Sequence, residues 1–146
     1  MPTFNFNIEA AADIPQRACL GVDANGKFTD KEIGKLVKMG TAQNYVLCAD
    51  GDDIEGHVAS LEAVTYNDGF SFGTVYRENR VEALVDAGQV GQIAVLDEVV
   101  AGAQAAIGTA SKGIVKSGTG TSKKWRVIRH VTGNGSAGDT VLIEPV

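Results

Sequence analysis

The sequence predicts an all-β protein, a small β-barrel or β-sandwich with an extended N-terminal arm. About ten short runs of alternating or apolar residues are separated by turns of Gly, Asn, Asp and Ser. Gly supplies 18 of the 146 residues and Pro only 3, which indicates tight turns rather than a proline-rich linker. A chain of this length fits one domain, so we expect a single β domain over residues 17–146.

Residues 1–16 are predicted to form the arm or a first strand of the domain. Phe4, Phe6 and Ile8 alternate with polar residues, and this period of two places them on one apolar face. Pro15 ends any helix that the alanine-rich run before it could start. Because exposed phenylalanines are unfavourable in water, Phe4, Phe6 and Ile8 are candidate contacts with a partner.

The elements after the arm are short. Strands are predicted over residues 17–22, 44–49, 57–66, 69–77, 80–85, 92–96, 113–116, 124–132 and 140–144. Residues 30–40 form either a strand or one loose turn, and residues 97–110 are a loop, a weak strand or a helix weakened by glycine. In the run 124–132, one strand face is predicted to carry Trp125, Val127, Arg129 and Val131.

The charges are unevenly distributed along the chain. The net charge of −5 argues against nucleic acid as a partner, because phosphate binding needs a basic surface. Acidic residues crowd the middle of the sequence and basic residues crowd its C-terminal third. These regions are either two solvated patches or complementary surfaces for repeated copies or another partner. In the second interpretation, the candidate partner contacts are Lys123, Lys124 and Arg126.

The stretch DGDDIEGHVAS, residues 50–60, is the best place to look for chemistry. It fails the calcium-binding EF-hand pattern, because Ile54, Glu55 and Leu61 occupy positions that require an oxygen ligand, Gly and Glu. The favoured interpretation is a polar turn that enters a strand. A weak cation site in residues 50–55 and an acid–base pair of Glu55 and His57 remain open.

Other motifs are weaker. Residues 133–138 match GxGxxG and residues 113–118 have P-loop glycine spacing, but neither is followed by the helix that would hold a phosphate. Trp125 is predicted to lie in the core or an interface, with stacking on a base or sugar as the alternative. Cys19 and Cys48 are expected to be buried free thiols. We therefore predict no catalytic residue, cofactor or metal site, and hence no enzyme.

The N-terminus lacks the pattern of a signal peptide, and no apolar run is long enough to span a bilayer. We therefore expect a soluble protein, made in a cytoplasm, with no membrane partner.

Three stretches resemble the capsid decoration (cement) proteins of tailed bacteriophages. The first is GDDIEGHVASLEAV, in which Gly51, Asp52, Ile54, Gly56 and Val58 match a strand–turn–strand element. The others are residues 80–108 and the closing hairpin, residues 124–146. The helix-like residues 30–38 are not expected of that family.

The resemblance implies a role without catalysis. Such proteins are β-barrels or sandwiches, often trimers, that sit on the capsid exterior and reinforce it. The expected partners are the major capsid protein of a phage head and two further copies of the chain, and the expected location is the virion. The alternatives are another β-rich virion component, such as a tail-tube or head-completion protein, and a carbohydrate-binding β domain.

Overall fold

Twelve short strands are the main regular elements in this computed structural model, which describes residues 16–20, 22–23, 26–40, 44–61 and 71–146. The predicted contacts Phe4, Phe6 and Ile8 lie outside the described residues. In chain order the strands are β1 (Gln16–Leu20), β2 (Val22–Asp23), β3 (Gly26–Lys27), β4 (Leu36–Met39), β5 (Tyr45–Leu47), β6 (Gly56–Leu61), β7 (Ser71–Tyr76), β8 (Val81–Val85), β9 (Glu98–Ala101), β10 (Gly113–Ser117), β11 (Trp125–His130) and β12 (Thr140–Pro145). A 3₁₀ turn, Asp30–Glu32, precedes β4. The all-β prediction is confirmed.

Two closed five-stranded barrels follow each other along the chain. The first barrel has the order β1-β5-β4-β6-β7 and the second has the order β10-β8-β12-β11-β9, while β2 and β3 form a separate hairpin. Closure leaves no free strand edge in either sheet, so neither barrel offers a template for strand-by-strand aggregation. Whether the two barrels behave as the single predicted domain is a question of cooperative stability, and it stays a prediction.

The second barrel repeats the topology and the register of the first. In each barrel the first and third strands along the chain pair in parallel. These are β1 and β5 in the first barrel, paired at Leu20 and Tyr45, and β8 and β10 in the second, paired at Val85 and Val115 among others. All other strand pairs in both barrels are antiparallel. A β-bulge interrupts the fourth strand at the same place in both, after Val58 in β6 and after Val127 in β11. A shared register and a shared bulge identify a structural duplication within the chain.

The duplication extends into the turn that enters the second strand of each barrel. Gly34 donates to the Val58 carbonyl at 2.7 Å, and Leu96 donates to the Val127 carbonyl at the same distance. Both residues have a positive φ, +92° for Gly34 and +76° for Leu96. Glycine adopts this conformation freely, whereas leucine does so at a cost.

The cores of the two barrels interlock. The first core consists of Phe28, Val37, Tyr45, Val58 and Val75. The second core is built mainly from the valine, isoleucine and alanine side chains of β8 to β12 with Trp125, but it also includes Leu36, Cys48 and Ile54 from the first half of the chain. In return, Ile107 from the second half packs on the first core.

Two predictions about local structure are wrong. Residues 92–96 are not a strand, because Ile93 bonds to the loop at Gly135 and the backbone then turns at Leu96. The predicted face of the run 124–132 holds only for Trp125 and Val127, which are fully buried. The bulge after Val127 shifts the alternation, so Arg129 is exposed instead of facing the core.

Candidate functional site

The acidic loop, residues 49–55, meets the glycine- and lysine-containing loop at residues 118–124. The Asp53 carboxylate accepts hydrogen bonds from the backbone N–H groups of Thr121 at 2.7 Å, Ser122 at 2.8 Å and Lys123 at 3.3 Å, and from the Ser122 hydroxyl at 3.0 Å. Consecutive backbone N–H groups of this kind form an anion-binding nest. Partial burial raises the pKa of Asp53, but these hydrogen bonds outweigh it and hold the pKa below its ordinary 3.8.

The other carboxylates of the acidic loop are also bound by the chain itself. Asp50 forms a salt bridge with Lys116, and Glu55 accepts a hydrogen bond from the Met39 amide. Asp52 forms a salt bridge with Lys38 and accepts a hydrogen bond from the Ala49 amide. The hydrogen bond to Asp52 raises the pKa of Lys38 above its ordinary 10.5. Two backbone bonds, from Gly51 to the Ala101 carbonyl and from Ala101 to the Asp52 carbonyl, fasten the same loop to β9 of the second barrel. The predicted polar turn before β6 is therefore a junction between the barrels.

The cation and acid–base interpretations of this loop gain no support from its geometry. Across the described ranges, no group of three or more His, Cys, Asp or Glu side chains is placed to hold a metal ion. Glu55 faces the Met39 amide, whereas the His57 ring packs edge-on against Tyr76 with centroids 5.6 Å apart. Burial lowers the pKa of His57 to about 4. His57 is thus a neutral core side chain at ordinary pH, and its Nδ1 has no hydrogen-bond partner among the described residues.

Trp125 links the junction to the core. Its side chain is fully buried and its indole N–H donates to the Ile54 carbonyl at 2.7 Å. A buried ring cannot stack on a sugar or a base, so the core interpretation of Trp125 is confirmed. Lys123 lies over this ring at 5.8 Å and donates to Glu78 at 2.7 Å and to the Arg77 carbonyl at 2.9 Å.

The predicted basic contacts have different surroundings. Lys123 is mostly buried, with a side chain 18% exposed, whereas Lys124 is exposed. Arg126 bonds to Glu144 through Nε at 3.3 Å and Nη2 at 3.1 Å. Lys123 and Lys124 line one open cleft of about 430 Å³, together with Arg77, Glu78, Pro145 and Val146. We call this the basic cleft.

A buried ion pair that the sequence reasoning missed joins the barrels on another side. Glu32 and Lys35 are both fully buried, with Nζ and Oε1 3.2 Å apart. Lys35 also donates to the Ala105 and Ala106 carbonyls, each at 3.1 Å, and Glu32 accepts from the Gly108 amide at 2.6 Å. Burial raises the pKa of Glu32, but the hydrogen bonds, led by that from Thr29, hold it below its ordinary 4.5.

The sequence contained a partial signal for this pair. Thr29 and Glu32 have the spacing of a capping box, and both of its bonds form at the 3₁₀ turn. The contact with residues 105–108 could not be foreseen, because it joins segments about seventy residues apart.

Cys48 is the one thiol that the described side chains include. It is buried, free of any disulfide, and placed so that its thiol donates to the Asp53 carbonyl at 3.7 Å. Burial raises the pKa of the Cys48 thiol to about 12. Because the thiolate is the reactive form, Cys48 is a core residue rather than a nucleophile, and the prediction of a buried free thiol is confirmed for this cysteine.

A second open cleft lies on the second barrel, where Leu96, Asp97 and Glu98 face Ser117, Gly118 and Thr119 across about 500 Å³. We call it the acidic cleft. Asp97 accepts from the Ala94 amide at 2.9 Å, and Glu98 Oε2 is buried without a hydrogen-bond partner in the described part of the chain. These groups can bind a cationic side chain, but they include no nucleophile paired with a base.

No helix within the described ranges is long and apolar enough to cross a membrane. Comparisons of the chain with protein-family models, with curated proteins and with solved structures find no significant match. Functional inference therefore relies on the residues of the chain itself.

Proposed function

We propose that the chain is a structural virion protein that binds the outer surface of a tailed-phage capsid and stabilises its lattice without catalysis. Its partner is the major capsid protein, its assembly state is a homotrimer, and its location is the capsid exterior. The observation that carries the proposal is the junction between the barrels. The carboxylates of the acidic loop, which were the best candidates for a metal or acid–base site in the sequence, bind the two barrels together there.

The junction supports a mechanical role because each carboxylate of the acidic loop has an internal partner. Asp53 is held by four donors of the opposite loop, and Asp50 and Asp52 each pair with a lysine. A protein that reinforces a shell must keep its shape when the shell is stressed, and a satisfied polar network favours one rigid arrangement.

The residues that carry the family resemblance have structural roles consistent with this proposal. Ile54 and Val58 are buried core residues, and Gly56 lies so close to Tyr76 that a Cβ there would approach its carbonyl oxygen to 2.7 Å. The closing hairpin is β11 and β12, which supply two of the five strands of the second barrel. The matching residues are thus the ones that build both barrels.

The test is binding of the purified protein to expanded phage heads assembled from the capsid protein encoded near it. We expect cosedimentation with the heads and higher resistance of decorated heads to heat. Many weak contacts add up on a repeated lattice, so occupancy should saturate at a fixed number of copies per head. If the protein does not bind and bare heads are equally stable, the proposal is refuted.

A variant of the full chain with Phe4, Phe6 and Ile8 all replaced by Ser tests the predicted arm. We expect weaker binding to heads with an unchanged unfolding midpoint. The matched control is Met39→Ser, which removes an exposed apolar side chain of the first barrel. A lower unfolding midpoint in the triple variant would instead assign these residues to the core.

A further inference from the structure

The duplication exposes a difference between the two barrels. Lys35, Leu36 and Cys48 form a face of the first barrel, and each is at most 3% exposed because the second barrel covers them. Leu36 and Cys48 belong to the second core. Lys35 donates hydrogen bonds to the Ala105 and Ala106 carbonyls, and the Gly113 amide donates to the Gly34 carbonyl at 3.1 Å. This face is a barrel–barrel interface within the chain.

Within the described part of the chain, the equivalent face of the second barrel is open. By the shared register, Leu96, Asp97 and Glu98 occupy the positions of Gly34, Lys35 and Leu36. Ser117 and Gly118 likewise occupy the positions of Leu47 and Cys48. These residues line the acidic cleft, so the face that the second barrel covers on the first barrel has an equivalent on the second barrel that no described residue covers.

Leu96 gives independent reason to expect a cover. It is the one non-glycine residue with positive φ in the described ranges, and its side chain is 62% exposed. Its neighbour Val95 is 47% exposed. A leucine in the left-handed region is strained, and here its side chain gains little burial within the chain to offset that strain. Strain combined with an exposed apolar side chain is typical of a contact site.

The charges of the two clefts indicate which partner binds this face. The acidic cleft carries the carboxylates of Asp97 and Glu98 beside the apolar Leu96. In the basic cleft of the same chain, Lys123 pairs with Glu78, which leaves the charges of Arg77 and Lys124 in excess. They lie beside Pro145 and Val146, and Val146 is 70% exposed. The two clefts thus match in charge and in their apolar margins, and such matching guides two surfaces to one register.

We propose that the acidic cleft on the second barrel of one copy docks on the basic cleft of a second copy of this chain. A contact between two different patches is heterologous, and it closes into a ring when the rotation between copies allows. The inference deepens the trimer part of the proposed function, but it rests on the duplication and does not depend on capsid binding.

The experiment is sedimentation velocity of the full chain and its variants over a range of concentrations. We expect the native chain to form a defined oligomer. Leu96→Glu should weaken association by at least about tenfold, as expected for loss of a central apolar contact. Met39→Glu, the same change at a side chain 46% exposed on the first barrel, is the control and should leave association unchanged.

Three further variants separate a contact role from a folding role. Leu96→Gly removes the side chain and relieves the positive φ, so association should weaken while the unfolding midpoint does not fall. Lys124→Glu should also weaken association, and Asp97→Lys in the same chain should restore it. The residue equivalent to Asp97 in the first barrel is Lys35, so the backbone at this position accommodates a lysine.

The proposal is overturned if the native chain is a monomer at every soluble concentration, or if Leu96→Glu and Lys124→Glu both leave the oligomer intact. If Leu96→Glu keeps the oligomer but no longer binds heads, the face belongs to the capsid contact and self-docking is wrong. Failure of head binding alone, with the oligomer and its sensitivity to Leu96 intact, refutes the capsid role and leaves this inference standing.

Discussion

Asp53 should contribute more to stability than any other carboxylate of the acidic loop. Its four hydrogen bonds come from the second half of the chain, so they join the barrels directly. Hydrogen bonds to a charged group each contribute about 1.5–3 kcal/mol, but the site is partly open to water and Asn keeps one acceptor oxygen. We therefore expect Asp53→Asn to lower the free energy of unfolding by about 2–3 kcal/mol in total.

The assay is urea denaturation at pH 7 combined with a thermal melt. Each kcal/mol shifts the midpoint temperature by about 3–4 °C in a protein of this size, so Asp53→Asn should lower it by about 6–12 °C. Asp50→Asn is the matched control, because the Asp50 side chain is 56% exposed and makes one salt bridge to Lys116. An exposed pair contributes about 0.5 kcal/mol or less.

The pH dependence gives a second readout of Asp53. Its folded pKa lies below the ordinary 3.8, so its contribution is present above pH 3.8 and is lost as the pH falls through the folded value. The difference between the native chain and Asp53→Asn should therefore shrink in strong acid. Equal losses for Asp53→Asn and Asp50→Asn at pH 7 would refute the idea that the nest joins the barrels.

Three other predictions concern the core and the ion pair. Because burial lowers the pKa of His57 from 6.5 to about 4, stability should fall by about 3 kcal/mol as the pH drops from 6.5 to 4, and His57→Leu should remove most of that loss in urea titrations. Lys35→Met should cost about 3–5 kcal/mol by leaving the Glu32 charge buried and unpaired, while the double variant Glu32→Gln/Lys35→Met should cost less. If the interlocked cores make one domain, Trp125 fluorescence and far-ultraviolet circular dichroism should report a single coincident unfolding transition, and two separated transitions would contradict it.

Most of the strands could be predicted because their signal is local. Alternating apolar residues bounded by Gly, Asn and Asp turns identified eight of the twelve strands at least approximately, including β5, β8 and β12, and left β4 and β9 open among alternatives. Failures arose where tertiary contacts override the local pattern. The run 92–96 looks like a strand, but Ile93 fills the core from a loop and Leu96 turns the chain.

The site was predicted only in part, because its partners are far apart in sequence. The acidic loop was predicted to be a polar turn, whereas in the opposite loop only the glycine spacing of residues 113–118 and the charges of Lys123 and Lys124 were noted. Their union in the Asp53 nest joins positions almost seventy residues apart, which no periodicity can indicate. The charge asymmetry along the chain was the one sequence feature that hinted at pairing between these regions.

The duplication was invisible in the sequence for a physical reason. Among equivalent strand positions the two barrels share identical residues only at Ala18 and Ala83, Val37 and Val99, and Val58 and Val127. A closed barrel constrains strand register, the bulge and the positive-φ turn, but many apolar residues can fill its interior if the total volume is conserved. Gly56 and Trp125 illustrate this freedom, since they occupy equivalent positions with side chains of opposite size.

The same comparison explains why Leu96 is informative. At equivalent positions in the two cores, such as Tyr45 and Val115 or Val75 and Ile143, one apolar residue replaces another. At the turn, the first barrel has Gly34, the residue that fits a φ of +92° without strain, whereas the second has a leucine at +76° that is largely exposed. Folding alone favours glycine at both turns. The proposed contact with a second copy accounts for this leucine, and the covered face of the first barrel indicates where that contact is expected.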